Sequence, residues 1–487
     1  MAELSIFCAL RIERLALGRA TLVGMGPERA KRASLGRLED GAAYAVCGVS
    51  GGLRVGVSAG DVVVADELRN EDGQVRRLPS ARLVASELSQ AGLKVHVGPL
   101  VSISHFANAR ERSALGERGA LAVDMESFWL AERLGDHPLA VVRTIADCLD
   151  NGPVSGALPS LRALRRVRPA LEAWARTIGP LRVMLASPRS FCAGVERAIE
   201  IVERAIGRFG PPVYVRRQIV HNAHVVSELE ERGAVFVNEL DEVPEGATVV
   251  LAAHGVSPEV RMQAERRPSL SVIDATCPLV AKVHHEARRF ASQARRIVLI
   301  GHAGHEEVVG TMGEVPGGID LVQGLSDVAG LDYPPGSKVA YLTQTTLAVD
   351  ETAQIIDALG DRFDDLVGPS ADDICYASQN RQDAVRELAG CTDLVLVVGS
   401  ANSSNTARLV EVARREGTRA ELVEDAGDLR LSWLNSARVV GVTAGASAPE
   451  SLVKDLVEVL RSLGANSVEE LAAKEETVHF TLPQKVR

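Results

Sequence analysis

At 487 residues the chain exceeds what one hydrophobic core can hold, and 46% hydrophobic against 24% charged residues describes a soluble globular protein of two or more domains. A net charge of −10 with only 3% aromatics excludes a broad nucleic-acid footprint and stacking platforms for single strands. No apolar run reaches the roughly 18–20 residues that span a bilayer, and the opening MAELSIFCALRIERLALGRA lacks a signal-peptide layout, so a cytoplasmic location is expected.

Residues 1 to about 150 form a first α/β unit. Apolar strands such as Val62–Ala65 and Leu139–Val142 alternate with helical segments such as Ala81–Gln90. Glycine turns are expected at Gly24-Met25-Gly26 and at Gly48-Val49-Ser50-Gly51-Gly52. A loop follows over Asn151–Gly156. One basic amphipathic helix is then predicted from about Ser160 to Ile178, with Leu161, Leu164, Val167, Leu171 and Trp174 on its apolar face. Its Arg162, Arg165, Arg166 and Arg168 are read as a solvated face rather than a polyanion patch. Gly179-Pro180 closes it and sets the domain boundary.

Beyond the boundary, strands that run into polar turns recur. Val249–Ala253 leads into His254-Gly255-Val256-Ser257, Ile297–Ile300 into Gly301–His305, Leu394–Val398 into Gly399–Asn405, and Val439–Val442 into Thr443–Ser447. The pattern predicts similar α/β lobes around a shared centre, each offering a polar strand end, where ligands collect in open α/β sheets. The densest stretch is Ile273–Gly313. It joins a cysteine turn, a helix bearing Val280, Val283, Ala287 and Phe290 at helical spacing, a buried strand, and Gly301-His302-Ala303-Gly304-His305-Glu306-Glu307.

The seven cysteines are odd in number, widely spread and free of any C-x-x-C pair. That excludes a disulfide framework, a zinc finger and a bacterial ferredoxin run. Cys192, Cys277 and Cys375 each occupy a strand-to-helix turn, 85 and 98 residues apart. Amide donors and the helix dipole at such a turn favour a thiolate. Two readings stand open here: three buried structural thiols, or one shared metal site. His221, His254 and His305 also follow strands or their turns, and Ser403, Ser404, Asn405 and Ser447 occupy comparable ones. Such donors fit an anion cradle, particularly for a diphosphate.

These residues lie in SPRSFCAGVERAI, IVHN, AAHGVS, DATCPLV, IGHAGHEEVVGTMGE, YLTQTTLAVDET, DDICYASQNRQ, GSANSSNTARL, GVTAGASAPE and the terminal TLPQKVR. From about residue 182 to 487 the chain thus resembles 4-hydroxy-3-methylbut-2-enyl diphosphate reductase, the last enzyme of the non-mevalonate isoprenoid route. The resemblance implies a three-lobed, pseudo-threefold α/β reductase around a central [4Fe–4S] cluster, with lobes at roughly 182–276, 277–374 and 375–470 and a C-terminal tail. It implies Cys192, Cys277 and Cys375 as the three cluster ligands, leaving one iron open to substrate. It assigns His221, His254, Ser403, Ser404, Asn405 and Ser447 to the diphosphate, with His305 also lining the site. Glu307 corresponds to the proton donor and Thr345 to a residue that orients substrate and proton relay. Reduced ferredoxin or flavodoxin is the implied electron donor.

Residues 1–179 carry Gly24-Met25-Gly26-Pro27, Gly48–Leu53, Ala59–Ala65, Val123-Asp124-Met125-Glu126-Ser127 and Val142-Arg143-Thr144-Ile145-Ala146-Asp147. They resemble the nucleoside phosphorylase and nucleosidase superfamily, its hopanoid-associated members most of all. That resemblance implies ribose contacts from Met125 and Glu126, purine protonation by Asp147, and water activation by Glu13. Two other readings stand beside it: a front domain kept only for assembly, and a non-enzymatic protein with structural zinc behind a nucleoside sensor.

Overall fold

The computed structural model describes residues 2–39, 41–148, 156–471 and 476–487. The loop expected over 151–155 therefore lies outside the described residues. The chain is α/β throughout and separates into two compact units that a single cut does not produce. One comprises Met1–Val183 with Asp425–Val440 and Lys454–Glu469; the other comprises Met184–Glu424 with Gly441–Val453 and Glu470–Arg487.

In the first unit, the long strands Ala43–Gly52 and Val62–Asn70 both pair with Leu139–Asp147. Val95–Ser102 and Ala122–Asp124 complete a closed ring of five hydrogen-bonded strands. Val46, Val63, Leu100, Val141 and Ile145 fill its core cluster with Phe128 and Leu130 from the helix Ser127–Leu134. Gly48 to Gly52, expected as a turn, instead continue the strand Ala43–Gly52. Close approach explains the glycine: a Cβ on Gly48 stands 2.4 Å from Arg143 Nη1 and 2.6 Å from Glu13 Oε1.

The single helix expected from Ser160 to Ile178 is two, Ala157–Leu164 and Arg168–Thr177. Pro169 explains the break, because it has no N–H for the Arg165 carbonyl. Leu164, Val167, Leu171 and Trp174 are still fully buried, so the apolar stripe survives the interruption.

The second unit holds two complete four-stranded parallel sheets. One runs Ala234–Val237, Val213–Arg216, Thr248–Leu251, Ser271–Asp274; the other runs Ile319–Val322, Arg296–Ile300, Lys338–Thr343, Asp365–Val367. A third lobe is built on the parallel pair Leu394–Val398 and Arg419–Val423. The segment leading to Cys192 runs beside this third lobe, since Ala186 N–H donates to the Val442 carbonyl. A first lobe starting at 182 therefore takes in residues that pair elsewhere. The helix Pro278–Ser292 shows how sequence sets position: Cys277 precedes it, Pro278 opens it, and Val280, Val283, Ala287 and Phe290 face the core. Phe290 is 1% exposed, and truncating such a side chain to alanine costs about 3–5 kcal/mol. That anchorage fixes the thiol at the helix start.

Candidate active sites

Each of Cys192, Cys277 and Cys375 immediately precedes a helix: Ala193–Phe209, Pro278–Ser292 and Tyr376–Ala389. All three line one cavity of about 110 Å³ inside the second unit. Gly194 keeps the space between thiols clear, because a Cβ there meets Cys277 Sγ at 2.9 Å and Cys192 Sγ at 3.8 Å. Cys375 Sγ accepts the Ser378 N–H at 3.3 Å. At Cys277 and Cys375, burial works against the thiolate expected at a helix start. Burial pushes Cys277 up to about 12 and Cys375 up to about 11, outweighing the amide donors, and neighbouring thiols add to the rise. A bound cation is what such thiols need in order to ionise. Three soft donors around a cavity with no Lys or Arg among its lining residues suit an iron–sulfur group.

The same cavity is lined by His221, His254, His305, Glu307, Thr345, Ser403, Ser404, Asn405 and Ser447, so it gathers every residue predicted for the reductase. The imidazoles of His221 and His254 stack with centroids 4.2 Å apart, and His305 stands edge-on to both. Burial holds His221 and His254 below the usual histidine range and takes His305 down to about 4. His305 Nδ1 accepts the Glu307 N–H at 3.2 Å. The neutral ring therefore carries its proton on Nε2, as a donor. Ser403 begins the 12-residue helix Ser404–Arg415, and Ser447 Oγ lies 3.2 Å from both Ser403 Oγ and the His221 carbonyl. Asn405 Oδ1 accepts the Ala446 N–H at 2.8 Å. These contacts tie turns distant in sequence into one ring of hydroxyl, amide and imidazole groups.

Glu307 is 2% exposed. Its carboxyl takes two bonds from one residue, Thr345 N–H at 2.7 Å and Thr345 Oγ1 at 2.9 Å. Burial nonetheless raises it to about 7, with Asp373 contributing repulsion. Sequence reading missed several supports. Gln344 Nε2 donates to Thr346 Oγ1 at 2.9 Å, and Thr346 Oγ1 to Ser404 Oγ at 3.0 Å. Asp373 Oδ2 accepts the Thr343 N–H at 3.1 Å. Arg381, fully buried, bonds the Ser190 and Phe191 carbonyls ahead of Cys192 while standing on the helix that follows Cys375. Phe480 from the tail closes part of the wall. An arginine inside the otherwise neutral YASQNRQ was the one available signal.

The first unit contains a second cavity, about 420 Å³, lined by Glu13, Met125, Glu126 and Asp147 together. Glu13 Oε2 accepts from Ala9 N–H at 2.9 Å and Leu10 N–H at 2.8 Å, and Oε1 from Val49 N–H at 2.8 Å. Glu126 Oε1 accepts the Gly26 N–H at 2.9 Å. Burial, then Asp124, raises Glu126 to about 7. Two arginines were not foreseen. Arg143, 1% exposed, pairs with Asp124 at 2.5 Å and Glu126 at 3.5 Å, and Arg112 Nη1 meets Asp147 Oδ2 at 2.5 Å.

No helix among the described residues is long and apolar enough to cross a membrane. Residues 183–461 match the LytB protein family, and residues 19–160 match the Phosphorylase superfamily. The 4-hydroxy-3-methylbut-2-enyl diphosphate reductase of Acidothermus cellulolyticus is 58% identical over 307 residues, 63% of this chain and 90% of that one. Reductase 2 of Mycobacterium bovis is 56% identical over 313 residues, 63% of this chain and 95% of that one. Among solved structures, the E-1-hydroxy-2-methyl-but-2-enyl-4-diphosphate reductase from Plasmodium falciparum aligns with a TM-score of 0.62 at 37% identity, across 63% of this chain and 97% of that one. With more than half its length in one family match and relatives covered almost end to end, this chain belongs to the LytB family and carries a phosphorylase-superfamily domain at its front.

Proposed function

We propose that residues 182–487 reduce (E)-4-hydroxy-3-methylbut-2-enyl diphosphate to isopentenyl and dimethylallyl diphosphate, the terminal step of the non-mevalonate route, and that residues 1–179 cleave a purine nucleoside. The observation that carries the first part is the convergence of three thiols, three imidazoles, a buried carboxyl and a hydroxyl-rich helix start on one cavity. Cys192, Cys277 and Cys375 would hold a [4Fe–4S] cluster. Such a cluster would supply Lewis acidity and a path for two electrons, with reduced ferredoxin or flavodoxin as the donor.

The remaining work falls to the chain's own groups. The diphosphate accepts hydrogen bonds from His305 Nε2, from His221 and His254, and from the serines and Asn405 at the start of Ser404–Arg415. Its charge reverses the burial effect on the imidazoles and favours their protonation. Glu307, protonated near neutrality, gives its proton to the leaving hydroxyl, which departs as water. Thr345 N–H and Oγ1 then stabilise the carboxylate left behind. In the front cavity, Met125 and Glu126 contact the ribose and Asp147 serves the purine side, with Arg112 fixing its orientation.

Anaerobic purification tests the reductase. A brown, iron-containing protein bleached by dithionite that turns over the diphosphate supports it; a colourless zinc protein without turnover refutes it. Purine release from adenosine by the full chain tests the front domain, and its loss in Asp147→Asn and Glu126→Gln ties the activity to this cavity.

A further inference from the structure

Three cations behind the reductase cavity repeat one arrangement. Each cysteine caps the helix that follows it, and each of those helices carries a buried or half-buried cation in its second turn. Arg197 and Lys282 stand five residues past Cys192 and Cys277, and Arg381 six past Cys375. Each cation reaches the next cysteine's turn rather than its own. Arg197 Nη1 donates to the Ala275 and Thr276 carbonyls, both at 3.1 Å, immediately ahead of Cys277. Lys282 Nζ donates to the Ala371 and Asp372 carbonyls, the latter at 2.9 Å, ahead of Cys375. It also meets Asp373 Oδ1 at 3.2 Å, on a side chain that is fully buried. Arg381 Nη2 donates to the Ser190 and Phe191 carbonyls at 2.7 and 3.2 Å, ahead of Cys192. The ties thus run from Cys192 to Cys277, from Cys277 to Cys375, and from Cys375 back to Cys192.

Resting on the reading of these three cysteines as ligands of one cluster, we infer that Arg197, Lys282 and Arg381 are positioning residues. They close a ring of ties through the three cysteine turns and set the spacing at which the thiols meet. Buried loop carbonyls need donors, and a cation serves two of them at once with bonds stronger than neutral ones. Pinning the carbonyls within four residues ahead of a thiol fixes where its helix starts, and so where the thiol stands. Two ties alone would leave two of the turns joined only through the third. Closure makes every thiol separation depend on all three cations.

The full chain, loaded anaerobically with iron and sulfide and then challenged with a ferrous chelator, reports how firmly the site is held. Lys282→Met and Arg197→Met should release iron roughly 10 to 100-fold faster than wild type. Arg197→Lys, which keeps a cation for the Ala275 and Thr276 carbonyls, should recover most of that loss. Arg289→Met, whose guanidinium pairs with Glu286 on the helix of Lys282, should release iron at the wild-type rate. Arsenite binding to the iron-free full chain reads the same spacing without the cluster, because trivalent arsenic holds three soft thiols only where they converge. Both methionine variants should bind it more weakly by a similar factor, and thermal melts check that each is folded. Wild-type iron release and arsenite binding in the folded methionine variants would overturn the ring, as would an equal loss in Arg197→Lys or Arg289→Met. A wild-type chain that takes up no cluster overturns the ligand reading instead, and arsenite binding then judges the ring by itself.

Discussion

Replacing Glu307 with glutamine separates a proton donor from a structural tie, and the geometry gives the expected magnitudes. Gln keeps an oxygen for the Thr345 N–H and an amide group opposite Thr345 Oγ1, a hydroxyl that can accept as well as donate. Only the transferable proton disappears. Turnover should fall by roughly 100 to 10,000-fold, a loss of about 3–5 kcal/mol of transition-state stabilisation, with kcat and kcat/KM falling together. Iron content and substrate binding should be kept. The pH dependence follows from the same carboxyl. Its value rises from 4.5 to about 7, so the wild-type rate should decline above pH 7 as the acid ionises, and the residual rate of Glu307→Gln should lack that limb. Stability carries the matching signature. Because the folded state holds this proton more tightly than the unfolded chain, folding stability is full below pH 4.5 and falls by up to about 3 kcal/mol as pH rises to 7 and above. Glutamine does not ionise, so the variant should denature at a higher urea concentration than wild type at pH 8, and the advantage should vanish at pH 4. Anaerobic turnover with a reduced dye, iron counting and urea titrations at the two pH values supply the readings. Near-normal turnover with full iron would refute the role of Glu307, and an unchanged urea midpoint at pH 8 would refute the burial argument.

Other variants test separate contacts. Cys277→Ser should lose iron and turnover together, since a hydroxyl is a poor soft ligand, whereas Cys391→Ala, at an exposed thiol outside the cavity, should keep its full iron; iron counting on both decides. Thr345→Val removes one of the two bonds that favour the ionised Glu307, so the alkaline limb of kcat/KM should move to higher pH, and a limb that moves down contradicts the assignment. Arg112→Gln removes the guanidinium that pairs with Asp147, so purine release should fall while a thermal melt shows the fold retained; unchanged release would mean that this pairing does not position Asp147.

Much of the reductase site was legible because its chemistry sits at places that leave a local mark. A cysteine between a strand and an apolar-periodic helix, or a histidine one residue past a run such as Val249–Ala253, is visible without knowing where the strand points. Convergence was not visible. Nothing in the spacing of Cys192, Cys277 and Cys375 shows that a Cβ on Gly194 would stand 2.9 Å from Cys277 Sγ, a contact between residues far apart in sequence. The front domain was less readable for a related reason. Gly48 to Gly52 look like a turn by composition, yet they sit mid-strand to admit Arg143 and Glu13 side chains from other elements. Arg112 and Arg143 escaped attention because a lone arginine in sequence looks solvated. Only their closed ion pairs with Asp147 and Asp124 reveal otherwise.

Burial acts in opposite directions on the two kinds of ionisable group in the reductase cavity, and together the shifts set its proton inventory. A buried carboxyl is held protonated and a buried imidazole neutral, because each avoids its charged form. Burial thus keeps a proton on Glu307 and disfavours a second one on His221, His254 and His305. A diphosphate brings concentrated negative charge to the imidazole side. It raises the affinity of all four groups for protons, so the histidines gain charge while Glu307 keeps its proton. Binding should therefore take protons up from solution near neutral pH. Calorimetry of diphosphate binding in two buffers of different ionisation enthalpy measures that uptake directly. Absence of proton uptake on binding would mean that the histidines are charged beforehand, and that burial is not what governs this cavity.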